Sequence, residues 1–177
     1  MKKFMALATI LWVGQALFAQ PPTVFPGSFT GSWKGKLQWM VTGKPSREFT
    51  MQLIITPAEN TGQYNWLVIY GDSSGTVDNR PYLLKPVDTV IGHWLIDERN
   101  GIFLDSYVFG NCLQGAFTVQ GNTIVNNYCV AGNKLSVEFF SINLQDKKTS
   151  GKGTSDVPLV NSYKMGSYQT GVLLRQE

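Results

Sequence analysis

Gly31-Ser32-Trp33-Lys34-Gly35-Lys36-Leu37-Gln38-Trp39 puts Trp33, Gly35, Leu37 and Trp39 on one side of an extended chain and Ser32, Lys34, Lys36 and Gln38 on the other. Such alternation marks a strand with one buried face, because successive side chains of an extended backbone point in opposite directions. The same period recurs along most of the sequence that follows, and no long segment after the N-terminal leader sustains an apolar face at i, i+3, i+4 and i+7. Strands are predicted over 32–40, 49–57, 64–70, 81–86, 93–98, 102–109, 112–120, 123–130, 134–143 and 163–175.

Between these strands lie turn residues rather than crossovers. Asn100-Gly101 has the composition of a type I′ hairpin turn, and Gly71-Asp72-Ser73-Ser74-Gly75 and Ala131-Gly132-Asn133 supply further turns. Strands joined by short turns pair with their sequence neighbours, and closing such a sheet removes its exposed edges. The expected fold is therefore all-β, an antiparallel up-and-down meander closed into a barrel of 8–10 strands. The segment 144–161, with Asp146-Lys147-Lys148-Thr149-Ser150-Gly151-Lys152-Gly153, reads as a long polar loop.

Residues 1–19 read as a signal peptide: Lys2 and Lys3, an apolar run from Phe4 to Val13 interrupted by Thr9, and Ala19 at the expected cut, with Leu17 a poor fit three residues before it. The run is shorter than the roughly 20 residues of a bilayer span, and no membrane span is expected in the mature chain. Residues 20–30, with Pro21, Pro22 and Pro26, form an extended lead-in whose Val24 and Phe25 are candidates to dock on the barrel, and 31–177 is one domain. The whole chain has 15 basic and 12 acidic residues, and without Lys2 and Lys3 the count is 13 against 12. A near-neutral mature protein without a basic cluster gives no reason to expect a nucleic-acid partner. The expected localisation is periplasmic or secreted.

Cys112 and Cys129 fit an oxidising compartment. A hairpin with Gln120-Gly121 at its tip sets Cys112 opposite Cys129, Leu113 opposite Tyr128 and Phe117 opposite Ile124, and directly opposed cysteines can meet disulfide geometry. Two free thiols, or a metal pair lacking companion ligands, are the alternatives.

Gly31-Ser32-Trp33 resembles the G-x-W motif of the lipocalin and wider calycin superfamily, whose tryptophan closes one end of a barrel and is covered by a basic residue of the last strand. Arg175, after Gly171-Val172-Leu173-Leu174, is placed for that part. About ten strands rather than eight brings the chain nearer the fatty-acid-binding branch, and a T-D-Y-like triplet is missing. What the resemblance implies is a small hydrophobic ligand bound non-covalently inside the barrel, with Trp33 and Arg175 structural.

The side chains of matching parity include Trp39, Met51, Trp66, Tyr70, Tyr82, Phe117, Tyr128 and Phe139, which either line a cavity or fill the interior. The alternative to a ligand-binding barrel is a structural one with a filled core, acting through its surface or the 144–161 segment. No cofactor and no catalytic constellation are expected. The lone histidine, His93, is weighed as a surface residue against a haem ligand. Partners summing to 201 around Asn100-Gly101 put Glu98 and Asp105 on one face with Trp94, Phe103 and Tyr107, as a glycosidase pair would need; Leu95, Ile102, Leu104 and Val108 make the other face apolar too, so the inward side of 93–109 stays open.

Overall fold

The computed structural model describes residues 24–71 and 75–177; the leader expected over 1–19, the first four residues of the lead-in and the centre of the 71–75 turn lie outside the described residues. Ten antiparallel strands form the wall: β1 (Gly31–Met40), β2 (Arg47–Pro57), β3 (Tyr64–Gly71), β4 (Val77–Asp88), β5 (His93–Asp97), β6 (Phe103–Phe109), β7 (Cys112–Val119), β8 (Asn122–Ala131), β9 (Lys134–Ser150) and β10 (Val160–Gln176). Each strand pairs with its sequence neighbours, and β1 pairs with β10 as well as β2, so the sheet closes into an up-and-down barrel. The inward positions of β1, β2 and β3 are Trp33, Leu37, Met51, Leu53, Ile55, Trp66 and Val68, all buried; the alternation in the sequence is the alternation between core and solvent.

Closure across β1 and β10 depends on two glycines. A Cβ on Gly35 would lie 2.3 Å from the Val172 carbonyl oxygen, and one on Gly171 2.3 Å from that of Lys36. Neither strand has room there for a side chain, and the two backbones meet where the sheet bends shut.

The β7–β8 hairpin turns at Gln120 and Gly121, both with positive φ (49° and 78°), as a two-residue I′ turn requires. Its register sets Cys112 opposite Cys129 and Phe117 opposite Ile124, and the two cysteines form a disulfide.

The β5–β6 register differs by one residue from the sequence expectation. Ile96 faces Leu104 and Leu95 faces Asp105, rather than Ile96 facing Asp105. The Glu98 N–H donates to the Ile102 carbonyl (3.0 Å), leaving a three-residue turn with positive φ at Arg99 (60°) and Gly101 (96°) instead of at Asn100 and Gly101. Asp97 Oδ1 accepts the Arg99 N–H at 2.8 Å and Asn100 Oδ1 accepts the Ile102 N–H at 3.0 Å, which fixes this longer turn. A slip of one residue exchanges the faces of one strand relative to the other. Trp94, Ile96, Leu104, Ser106 and Val108 therefore share the interior, while Asp105 and Tyr107 lie outside with His93.

The same short hairpin leaves a notch. Among the described residues, Val77–Tyr82 of β4 pairs with β3 alone, and residues 116–119 of β7 pair with β8 alone. Pro81 sits in this half-paired stretch, where a missing N–H is tolerated. That explains why β4 begins four residues before the start read from the sequence.

Segment 144–161 is a loop only in its middle. β9 runs to Ser150 and β10 starts at Val160, so the two strands continue past the barrel as a hairpin arm. The arm meets the barrel through shifts in register at Tyr163/Lys164 and Met165/Ser167, where Asn143 Oδ1 accepts the N–H groups of Gln145 (2.9 Å) and Asp146 (3.2 Å). Its polar sequence carries no buried face, yet its backbone pairs.

Candidate functional site

One end of the barrel is plugged. A single 3-10 turn, Gly27–Phe29, drops Phe29 into the core, where it is fully buried and stacks with Trp66 at 6.3 Å. Phe25 packs edge-on against Phe29 (5.0 Å) and Trp94 (5.1 Å), whereas Val24, the other candidate to dock, stays 82% exposed. The Trp33 indole N–H donates to the Phe29 carbonyl at 2.8 Å, and the Arg175 guanidinium lies 4.0 Å from the Trp33 ring centre while donating to the carbonyls of Ser28 (2.9 Å) and Thr30. Gly31 has φ +123° and a Cβ on it would sit 2.6 Å from the Arg175 Nη1, so the glycine of the motif is required by the arginine that covers the tryptophan.

The opposite end is open. A cup of about 440 Å³ is walled by Trp39 from β1, Phe49 from β2, Tyr70 from β3, Phe117 from β7, Ile124 from β8, Phe139 and Phe140 from β9 and Gln169 from β10, with Asp78 and Arg80 of β4 on one side. This is within the usual range of small-molecule sites, about 300–1,000 Å³. Below it, past Tyr70, Arg80, Phe117 and Phe139, the interior narrows to about 90 Å³, lined by Trp66, Tyr82, Ile96, Glu98, Leu104, Ser106, Asn126 and Tyr128 among others. That space holds about a few waters, and its polar lining suits them. Gly115 makes the narrowing possible, since a Cβ there would stand 2.8 Å from Asn126 Oδ1 and 3.1 Å from Ser106 Oγ.

The candidate ligand residues divide between these levels. Trp39, Tyr70, Phe117 and Phe139 face the cup; Trp66, Tyr82 and Tyr128 face the narrow part, which Tyr70, Phe117 and Phe139 also border. Met51 faces neither and is fully buried in the packed core. Tyr128 packs edge-on against Trp66 (5.3 Å) and Phe139 (5.7 Å), joining core to cavity. Burial raises the phenol pKa of all three interior tyrosines. Tyr70 is pushed up to about 12 despite the opposing charge of Arg80, Tyr82 is raised by burial and then by the Glu98 carboxylate, and Tyr128 stands well above its ordinary value. All three stay protonated near neutral pH and present O–H donors.

Sequence reasoning did not place the charged groups of this end. Arg80 donates through Nε to Asp78 Oδ2 at 2.9 Å, with its Nη2 2.7 Å from the same oxygen, and its guanidinium lies 5.0 Å from the Tyr70 ring centre. Above the cup, two recesses of about 680 and 650 Å³ share Trp39 and Arg47; Lys44 lines the first and Asp78 the second. Arg47 is the cross-strand partner of Trp39, and its guanidinium lies 5.9 Å from that ring. The Trp39 indole N–H is buried and has no hydrogen-bond partner among the described residues.

The carboxylate pair weighed for hydrolysis is separated by the corrected register. Glu98 lines the narrow interior, while Asp105 lies outside, 2.6 Å from His93 Nε2. His93 stacks on Tyr107 at 4.6 Å, on the face opposite Trp94, so it is not directed into the cavity as an interior haem ligand would be. Among the described residues no three His, Cys, Asp or Glu side chains converge, and no helix is long and apolar enough to cross a membrane.

No known family profile matches the chain, and no curated protein matches it. Among solved structures, the crystal structure of Rv2717c from M. tuberculosis is similar over 85% of this chain and 94% of its own, with a TM-score of 0.53 and 13% sequence identity. At that identity the likeness is one of fold.

Proposed function

We propose that this protein is an exported, lipocalin-like barrel that holds a small, mainly apolar molecule non-covalently at its open end. The observation that carries this reading is the 440 Å³ aromatic cup at the end opposite the Phe29 and Trp33 plug. Phe49, Phe117, Phe139 and Phe140 supply apolar contact, while Trp39 and Tyr70 combine ring surface with a polar edge that orients a guest. Export is supported by the leader-like N-terminus and by a disulfide of the kind that persists in oxidising compartments. The G-x-W motif with Arg175 over Trp33 favours a lipocalin-type closure.

Titration with N-phenyl-1-naphthylamine, a neutral apolar fluorophore, tests the site. Saturable 1:1 binding is expected, weakened about tenfold or more by Ile124→Trp, which fills the cup, while the unfolding midpoint stays close to wild type. Absence of saturable binding, or binding indifferent to Ile124→Trp, refutes the cup. The alternative of a barrel acting through its surface is favoured by the filled plugged half and by the projecting arm, where Leu159, Val160 and Tyr163 are exposed. The same titration separates the two.

A further inference from the structure

Resting on that reading, we infer that the ligand is an amphipathic anion whose charged group sits at the rim, between Lys44 and Arg47, with its apolar body in the cup. The charges of the open end are distributed unevenly with depth. Among the described residues, the carboxylates lining the cup and rim recesses are Glu48 and Asp78, and each is already paired, Glu48 with Lys36 at 2.6 Å and Asp78 with Arg80 at 2.7 Å. Lys44 and Arg47 line the first recess, and Arg47 the second as well, neither with a carboxylate partner among the described residues. Among the described residues, these two cations at the rim are uncompensated.

The floor has the opposite balance. Glu98 lies beside Tyr82 in the narrow interior, and the cation bordering that space, Arg80, is engaged by Asp78. An anion carried downward would meet a carboxylate and a neutralised guanidinium, whereas at the rim it meets two solvent-exposed cations whose attraction salt screens. The indole N–H of Trp39 strengthens this orientation. It is a buried donor without a partner among the described residues, on the residue that borders the cup and both recesses, and leaving such a donor unmet is costly. An oxygen of the ligand near Arg47 would satisfy it.

The inference distinguishes two probes with one aromatic skeleton. 1-Anilinonaphthalene-8-sulfonate carries an anionic group that N-phenyl-1-naphthylamine lacks. At low salt the sulfonate is expected to bind about tenfold tighter, with the advantage shrinking as salt rises. In the double variant Lys44→Ala and Arg47→Ala the advantage disappears, while affinity for the neutral probe stays within about twofold. Equal wild-type affinity for the two probes, or an equal loss of both in the double variant, overturns the rim site and leaves the cup standing. Binding of neither probe removes the cup and the rim site together.

Discussion

Arg175→Ala removes the cover of the plugged end without touching the open one. The guanidinium stacks 4.0 Å from the Trp33 ring centre and bonds to the carbonyls of Ser28 and Thr30, tying the last strand to the segment that delivers Phe29. An exposed cation–π contact is worth about 0.5–1 kcal/mol. Each charge-assisted hydrogen bond adds up to about 1.5–3 kcal/mol when shielded, and about half of that here, because Arg175 is exposed and water replaces it at both carbonyls. The substitution is expected to cost about 2–4 kcal/mol, lowering the unfolding midpoint by about 4–16 °C for a domain of this size. Arg175→Lys keeps the charge but not the fork that spans two carbonyls, and should fall between. Thermal and urea unfolding measure the loss, with affinity for the neutral naphthylamine as the second readout. A cost below about 0.5 kcal/mol would show that the cover does not hold the plug. A fall in probe affinity with unchanged stability would place function at the wrong end.

Three other perturbations have defined outcomes. Replacing Cys112 and Cys129 by serine opens a cross-link spanning 17 positions and should cost about 3 kcal/mol by denaturant unfolding; an unchanged midpoint contradicts the hairpin staple. Gly171→Ala drives a Cβ to 2.3 Å from the Lys36 carbonyl and should destabilise by about 1–3 kcal/mol, so a neutral result would mean that β1 and β10 separate more easily than described. Asp97 is held below the ordinary carboxylate range, first by its hydrogen bond from Lys85 (2.6 Å) and then by the Arg99 N–H. Because its folded pKa is lowered, its contribution is complete above the unfolded value of about 3.9 and is lost as pH falls through the folded one. Asp97→Asn should therefore reduce stability at neutral pH by about 1–2 kcal/mol and flatten the acid limb of the stability profile; an acid limb identical to wild type assigns that limb to other groups.

Strand order and most facings are legible in the sequence because one face of each strand is buried, and a register error would turn Trp33, Leu53, Trp66 or Val137 toward water. The β7–β8 register is legible for the further reason that Gln120-Gly121 forms the short turn its composition suggests. At β5–β6 that logic fails. Both faces of the hairpin carry apolar residues, so patterning does not choose, and the Asp97 side chain captures the Arg99 N–H to make a three-residue turn where Asn100-Gly101 suggests two. The arm of 144–163 is illegible because an unburied strand leaves no alternation to read. For the site, the aromatic wall follows from parity. Phe29, Lys44, Arg47, Asp78 and Arg80 do not, because they fall in segments read as lead-in and turns, and only the closed barrel brings the last four to one end.

The most direct test follows the indole N–H resonances of the protein by ¹⁵N–¹H correlation during titration with 1-anilinonaphthalene-8-sulfonate. Trp33 and Trp39 lie on the same strand, one bonded to the Phe29 carbonyl in the plug and the other, at the mouth, without a partner among the described residues. The expected result is a saturating 1:1 shift of the Trp39 indole N–H with Trp33 stationary. Movement of Trp33 with Trp39 unchanged, or no saturating shift of Trp39, contradicts a ligand site at the open end.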